Sequence, residues 1–220
     1  MDPCNVIIHK VSTALFADRL NRLSYSPFNQ YFIIQAMALD KKNNEALTTI
    51  KDLWGGQLRY GGTTFFEDYR PSWNTMLSKN DAPPNNQCGY TSLAHPWSAG
   101  VTKWLSENIL GIKPIQAGFK SFTIIPFLEN KLTQVNGAMP TPFGAITANF
   151  NIKSGSCAVS IPQGTIAEKI GLPKVGRRIS KVLVNGKLLW DAAFHPIKGI
   201  SAIEEDNNYL YLINVKSGNY

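Results

Sequence analysis

The stretch Leu110-Gly111-Ile112-Lys113-Pro114 decides the fold, because the spacing of apolar residues changes there. Before it, apolar residues recur every three or four positions, which is typical of amphipathic helices. After it they alternate with polar residues, which is typical of strands with one buried face. Glycine and proline also interrupt regular structure. We therefore predict two domains in series: 1–112, mostly helical, and 113–220, mostly strand.

The helical part contains several start and stop signals. Ser26 followed by Pro27 indicates a helix start, and the segment 28–39 is apolar on nearly every side, so we expect most of its surface to be buried. A helix beginning at Asn43 or Asn44 is expected to end at Gly55-Gly56. Further expectations are a helix at 11–23, a polar loop at 68–89 and a helix at 92–110.

The second part is predicted to be an antiparallel β-sandwich. Asn185-Gly186 lies between two apolar runs and supplies the positive φ angles that a type I′ hairpin turn requires. Short strands at even spacing with Pro and Gly turns favour a sandwich. The other alternating runs are 119–124, 146–152, 157–161 and 209–213.

Composition limits the classes of function. The 220 residues include 22 Lys and Arg against 15 Asp and Glu, a net charge of +7. The basic residues are scattered and form no stripe, so a nucleic-acid partner is not expected. No segment approaches the ~20 apolar residues that span a bilayer, so no membrane partner is expected either.

Cysteines and histidines form no cluster. Their separation predicts neither a disulfide framework nor a metal site, and we expect no cofactor. The six residues are Cys4, Cys88, Cys157, His9, His95 and His195. The start of the chain lacks the layout of a signal peptide, which favours a cytoplasmic location for the chain as it stands. Export of a longer parent would not be visible here.

Two motifs carry possible chemistry. The first is Gly61-Gly62-Thr63-Thr64-Phe65-Phe66-Glu67, and the second is Ser92-Leu93-Ala94-His95-Pro96-Trp97-Ser98-Ala99-Gly100. A carboxylate and an imidazole among aromatic residues suit a sugar site, because rings stack on the C–H face of a pyranose while polar groups bond its hydroxyls. Hydrolysis of a glycosidic bond normally needs two carboxyl groups, and only one has a motif of this quality.

These motifs resemble the C-terminal end of bacterial α-L-rhamnosidases, glycoside hydrolases that combine an (α/α)6 barrel with a trailing β-sandwich. The resemblance also rests on Trp54-Gly55-Gly56, Leu110 to Pro114, Thr141-Pro142-Phe143-Gly144 and Ser217-Gly218. It implies that 1–112 are the last helices of such a barrel and that 113–220 form the sandwich.

The resemblance also assigns roles. Glu67 corresponds to the general base of an inverting mechanism and His95 to a residue that contacts rhamnose. Phe66 replaces the usual tryptophan, and Ala94 replaces a residue that is often cysteine or asparagine. The family's general acid lies in an upstream segment that has no counterpart here. The chain alone is therefore expected to be inactive, with the missing barrel half as a possible partner.

Aromatic residues near the motifs are further candidates for rhamnoside binding. Trp97 is equally compatible with stacking on a sugar and with a place in the core. Tyr69 and Trp73 lie in a polar stretch, where an exposed ring is harder to explain by packing. Trp54 and Trp104 fall on apolar helix faces and are predicted to be core.

Two alternatives to the hydrolase remain open. A non-catalytic carbohydrate-binding or accessory module would use the same aromatic and imidazole surface without chemistry. An interaction protein would instead use an exposed apolar helix face to dock a separately expressed barrel half.

Overall fold

The structure is a computed structural model that describes residues 10, 23, 25–70, 73–76, 91–129 and 131–220. The chain divides into two compact units, Met1–Trp104 and Leu105–Tyr220. The domain boundary at 112/113 stays a prediction. The predicted helix at 11–23 and most of the predicted loop at 68–89 lie outside the described residues.

Helix α1, Pro27–Leu39, begins as its sequence predicts. The Ser26 hydroxyl accepts the Asn29 N–H at 3.5 Å, and the proline occupies the first helical turn. The expectation that most of its surface is buried is wrong. One stripe at 27, 30, 34 and 37 is buried, whereas Phe32 is 55% and Leu39 is 87% exposed.

Helix α2, Asn43–Arg59, continues through Gly55-Gly56, which corrects the predicted end. Gly56 is a packing residue: a Cβ there would lie 2.4 Å from the Tyr69 hydroxyl. The stop comes at Gly61, whose φ is +98°. The Gly61 N–H donates to the Leu58 carbonyl at 3.0 Å and the Gly62 N–H to the Gln57 carbonyl at 2.9 Å, which is the pattern of a Schellman cap.

The remaining helical segments are short. Helix α3 is Trp73–Met76, a 3-10 turn spans Pro96–Ala99, and helix α4 is Gly100–Asn108. The helix predicted at 92–110 therefore starts later than expected, because the residues before Pro96 pair with another segment of the chain. Trp54 and Trp104 are buried, as predicted.

The second unit is mostly strand. In residues 105–129 and 131–220, which the structure describes, the strands are β1 Ile112–Pro114, β2 Ser121–Ile124, β3 Gln134–Thr141, β4 Gly144–Asn151, β5 Ser156–Pro173, β6 Val182–Val184, β7 Lys187–Trp190, β8 Ala202–Glu205 and β9 Tyr209–Asn219. Seven of them form one sheet in the order β1-β2-β5-β4-β3, with β9 paired to both β5 and β8. β6 and β7 pair separately.

Strand β5 organises this sheet. Its first part pairs with β4, its second part with β2, and β9 runs along both. The register shifts between Ile161 and Ile166, where Gly164 has a φ of +80°. The β2–β5 pair is parallel, so the prediction of an antiparallel arrangement is wrong at this pair. Alternation alone does not distinguish the two directions, because both have a period of two.

The predicted hairpin is confirmed. Asn185 and Gly186 have φ angles of +48° and +79°, and Val184 pairs with Lys187 across the turn. Leu189 of β7 is fully buried in the core of the sheet unit. The hairpin therefore closes over the inner face that the alternating residues create. Other fully buried members of this core are Ile112, Phe122, Ile124, Ile146, Ala167, Leu210 and Val215.

Asp206 in the β8–β9 turn should make stability depend on pH. Its carboxylate accepts the Tyr211 hydroxyl and the Tyr209 and Asn208 N–H groups, each at 2.7 Å. These bonds, the Tyr211 bond first, hold the pKa of Asp206 below its usual value of 3.8. The lowered pKa stabilises the fold at pH values above 3.8, and this contribution is lost as the pH falls through the folded-state value.

Asp206→Asn keeps one acceptor oxygen for the backbone but offers no acceptor to Tyr211. We expect it to lower the urea midpoint at neutral pH, and the difference from the parent should shrink in acid below the usual carboxyl pKa. Tyr211→Phe is the control. It removes the hydroxyl that bonds Asp206 and so raises the pKa of that carboxyl group, and it should also lower the urea midpoint at neutral pH. A difference that stays constant with pH would contradict this assignment.

Candidate functional site

The candidate site lies in the first unit, where the two sequence motifs pair. The Glu67 N–H donates to the Ser92 carbonyl at 2.8 Å, and the His95 N–H donates to the Phe65 carbonyl at 2.6 Å. The Thr64 hydroxyl also bonds the Leu93 carbonyl. These backbone bonds hold the two motifs side by side, although 25 or more residues separate them in the chain.

Glu67 and His95 come together in this pairing. The Glu67 Oε2 lies 3.9 Å from the His95 Nδ1 and accepts the Ser92 N–H at 3.0 Å. The side chains are 35% and 28% exposed respectively, so solvent reaches both. A carboxylate fixed by a backbone donor beside an imidazole can bond neighbouring hydroxyl groups of one ligand.

Phe66 anchors the segment that carries Glu67. Its ring is buried, packs edge-on against Tyr60, and lies against Gly62, where a Cβ would be 2.8 Å from the ring. Its N–H donates to the Gln57 Oε1 at 3.1 Å, which ties the segment to α2. The aromatic residue before the glutamate therefore positions the backbone.

An exposed row of aromatic rings continues from the imidazole. Trp97 is 46% exposed, and its ring lies 4.2 Å from that of His95. Phe28 stacks on Trp97 at 5.0 Å, and Phe32 contacts Phe28 edge-on at 5.3 Å. Phe28 and Phe32 were assigned to a buried helix by the sequence. Their i,i+4 spacing is the signal that could have placed them on one face.

Tyr69 and Trp73 lie elsewhere, which corrects the expectation that they are exposed. They are 1% and 2% exposed and contact each other at 5.7 Å. The Tyr69 hydroxyl accepts the Asn74 side-chain N–H at 2.6 Å. A ring face covered by protein is not free to stack on a sugar. Their assignment as rhamnoside ligands stays a prediction, without the exposure that motivated it.

No second carboxylate joins Glu67 and His95 among the described contacts. Asp68 is adjacent in the chain, but its Oδ1 accepts the N–H of Tyr69 at 2.8 Å. Within the described ranges, no group of three or more His, Cys, Asp and Glu side chains could hold a metal ion. None of the helices there is long and apolar enough to cross a bilayer.

Comparison with known families shows what the chain resembles. Residues 111–182, from β1 to the first residue of β6, match the bacterial alpha-L-rhamnosidase C-terminal domain. The chain resembles the C-terminal part of a bacterial α-L-rhamnosidase. The match to the rhamnosidase C-terminal domain covers the long strand β5 and its partners β2 and β4, which form the centre of the sheet.

Two similar proteins support the same resemblance. An alpha-L-rhamnosidase of Formosa agariphila is 32% identical over 142 residues, which are 62% of this chain and 14% of that protein. An alpha-L-rhamnosidase of Alteromonas sp. (strain LOR) is 33% identical over 108 residues, 49% of this chain and 11% of that protein. The chain thus spans about a seventh or less of these relatives.

Solved structures show the same fold. The alpha-L-rhamnosidase from Dictyoglumus thermophilum superposes with a TM-score of 0.65 over 86% of this chain and 20% of that chain, at 19% identity. The Streptomyces avermitilis enzyme complexed with L-rhamnose superposes with a TM-score of 0.57, at 16% identity over 86% of this chain and 17% of that chain.

Proposed function

We propose that the chain serves as the C-terminal portion of an inverting α-L-rhamnosidase-type glycoside hydrolase that releases terminal rhamnose. Glu67 is the general base that deprotonates the attacking water, and His95 bonds a hydroxyl of the sugar. Residues 1–112 contribute the last helices of an (α/α)6 barrel, and 113–220 a sandwich. The remaining barrel is the partner that completes the site.

One observation carries the proposal: Glu67 and His95, from two separate motifs, are 3.9 Å apart beside the exposed ring of Trp97. A sugar ring on Trp97 would present its edge hydroxyls to the imidazole and the carboxylate. The Ser92 N–H donates to the Glu67 Oε2 at 3.0 Å and so fixes the position of the carboxylate, which a base that activates water requires.

The described residues supply one member of the catalytic pair. An inverting enzyme needs a protonated carboxyl group ~6.5–9.5 Å from the base, with water between them. Without it, the leaving oxygen receives no proton. The chain alone therefore binds rhamnose weakly and does not hydrolyse rhamnosides.

The exposed rings of Phe28, Phe32 and Trp97 also favour a second candidate, a non-catalytic carbohydrate-binding module. Such a module would need the aromatic row but not the charge of Glu67. Glu67→Gln separates the two in a complete parent, where it removes the base of the hydrolase and lowers kcat, whereas a binding module has no activity to lose and its binding should change little.

The test is a titration of the chain with L-rhamnose, in which tryptophan fluorescence reports binding. We expect dissociation constants in the millimolar range, and His95→Ala should weaken binding roughly tenfold, the effect of losing one hydrogen bond to the sugar. His195→Ala is the matched control, because this exposed histidine bonds Asp191 in the sheet unit. An equal loss of rhamnose affinity in His95→Ala and His195→Ala would contradict the assignment of His95 to the sugar site.

Hydrolysis of a chromogenic aryl α-L-rhamnoside is measured beside the titration. The chain and Glu67→Gln should both be inactive. Activity that Glu67→Gln abolishes would reveal a general acid within these residues and would contradict the assignment as an incomplete enzyme. If a complete parent is expressed, the same substitution should lower kcat by about 1,000-fold or more.

A further inference from the structure

The sheet unit contains a groove that the hydrolase site does not use. It has a volume of about 720 Å³ and lies between the β4–β5 turn and the segment that connects β5 to β6. Its apolar lining includes Phe150, Leu172 and Leu183. Leu183 is 54% exposed, although it lies in a strand next to the core of the unit.

The rim of the groove is strongly basic. Lys174, Arg177, Arg178 and Lys181 line it, and no aspartate or glutamate is among the described residues that do so. Lys174 is engaged, since its Nζ lies 2.7 Å from the Glu205 Oε1. Arg177, Arg178 and Lys181 are exposed and form no ion pair with a described residue. Arg177 and Arg178 therefore line the groove without a carboxylate partner among the described residues, whereas Lys181 is close enough to Asp191 to help lower the pKa of that carboxyl group.

The backbone below the arginines is held in an unusual conformation. Val175 is a β-branched residue with a φ of +48°, and Gly176 follows with a φ of +72°. The Arg177 N–H donates to the Lys174 carbonyl at 3.0 Å and closes this turn. Left-handed φ angles are unfavourable for β-branched residues and cluster at functional sites. The turn fixes where the two guanidinium groups leave the chain.

From these observations we infer that the groove binds an anionic oligosaccharide whose carboxylate or sulfate groups are held by Arg177, Arg178 and Lys181. Guanidinium forks bind carboxylate and sulfate oxygens in pairs. The apolar lining suits the C–H faces of sugar rings. The anionic character follows from the rim itself, whereas the saccharide class rests on the proposed function.

The surplus of positive charge in this unit agrees with such a ligand. Residues 105–220 contain twelve lysines and arginines against seven aspartates and glutamates. Residues 1–104 contain ten against eight, which is close to balance. A long-range attraction toward an acidic chain would therefore be centred on the sheet unit, and salt should weaken it.

The test is calorimetric titration of the full chain with tetragalacturonate, a sulfated tetrasaccharide and neutral maltotetraose. We expect one or both acidic probes to bind and the neutral probe not to bind. The double substitution Arg177→Gln/Arg178→Gln should raise the dissociation constant roughly tenfold or more at low salt. Leu183→Ala should weaken binding without changing its salt dependence.

The matched control is Lys187→Gln/Lys198→Gln, which removes the same charge from exposed positions outside the groove. It should change the dissociation constant less than roughly twofold. Equal losses in both double variants would show diffuse attraction and overturn the proposal. Equal affinity for maltotetraose, for inorganic sulfate alone or for a single-stranded oligonucleotide would overturn it as well. Urea unfolding of each variant verifies that the sheet unit stays folded.

These experiments test the groove and the hydrolase site independently of each other. Glu67→Gln and His95→Ala should leave tetragalacturonate binding unchanged, because both residues belong to the other unit. Loss of rhamnose binding with intact binding in the groove would contradict only the hydrolase. Failure of every acidic probe with intact rhamnose binding would contradict only the groove.

Discussion

Gly111→Ala should destabilise the sheet unit by about 3 kcal/mol or more. Gly111 has a φ of +84°, and a Cβ there would lie 2.1 Å from both the carbonyl carbon and the carbonyl oxygen of Ile125. These are backbone atoms, so no rotamer change can relieve the contact. Displacing the backbone would stretch the bond from the Ile125 N–H to the Gly111 carbonyl, now 3.0 Å.

The matched control is Gly118→Ala in the same unit. Gly118 has a similar φ of +68°, but the nearest heavy atom to its Cβ position is 3.9 Å away. Its free energy of unfolding should fall by about 1 kcal/mol, which is the cost of placing an alanine in the left-handed conformation. Urea unfolding followed by far-UV circular dichroism measures both variants. Equal losses at the two positions would contradict the role of the Ile125 contact.

Trp104→Ala should destabilise the helical unit by about 3–5 kcal/mol. The side chain is fully buried, and its Nε1–H donates to the Ile34 carbonyl at 2.9 Å. The substitution leaves a cavity and removes the hydrogen bond from Trp104 to the Ile34 carbonyl. Tryptophan fluorescence is the readout, because four of the five tryptophans precede residue 105.

Trp97→Ala, in the same part of the chain, should have little effect on stability and a large effect on rhamnose binding. Its ring is half-exposed and stacks on Phe28, so we expect a stability loss of about 1 kcal/mol or less. Rhamnose binding, however, should be lost, because the ring next to His95 is removed. A Trp97 variant as unstable as Trp104→Ala would show that Trp97 is a core residue and not a binding surface.

Local signals in the sequence were accurate where the determining groups are close in the chain. Ser26 and Pro27 set the start of α1, and Asn185-Gly186 set the hairpin turn. Each depends on the φ preference or hydrogen bonding of a few neighbouring residues, so distant residues change it little. The change of period at Gly111 likewise separated helices from strands.

Glycines predicted the end of the helix less well, because a glycine can be required either for close packing or for a positive φ angle. Gly55-Gly56 has the composition of a helix end, yet the helix runs through it and the Tyr69 ring occupies the space of a Cβ at Gly56. Gly61 is the residue that needs a positive φ. Only the packing of a distant ring distinguishes the two cases.

The sequence by itself determined the residue types of the candidate site, its two motifs and the division into helix and strand. Tertiary structure decided which groups meet: the backbone bonds between the motifs bring Glu67 to His95, Tyr69 and Trp73 become core, and Phe28 joins Trp97. The physical reason is the distance along the chain over which each kind of interaction acts. Period and turn chemistry act over a few residues, whereas pairing and burial depend on segments that are remote in the chain and adjacent in space.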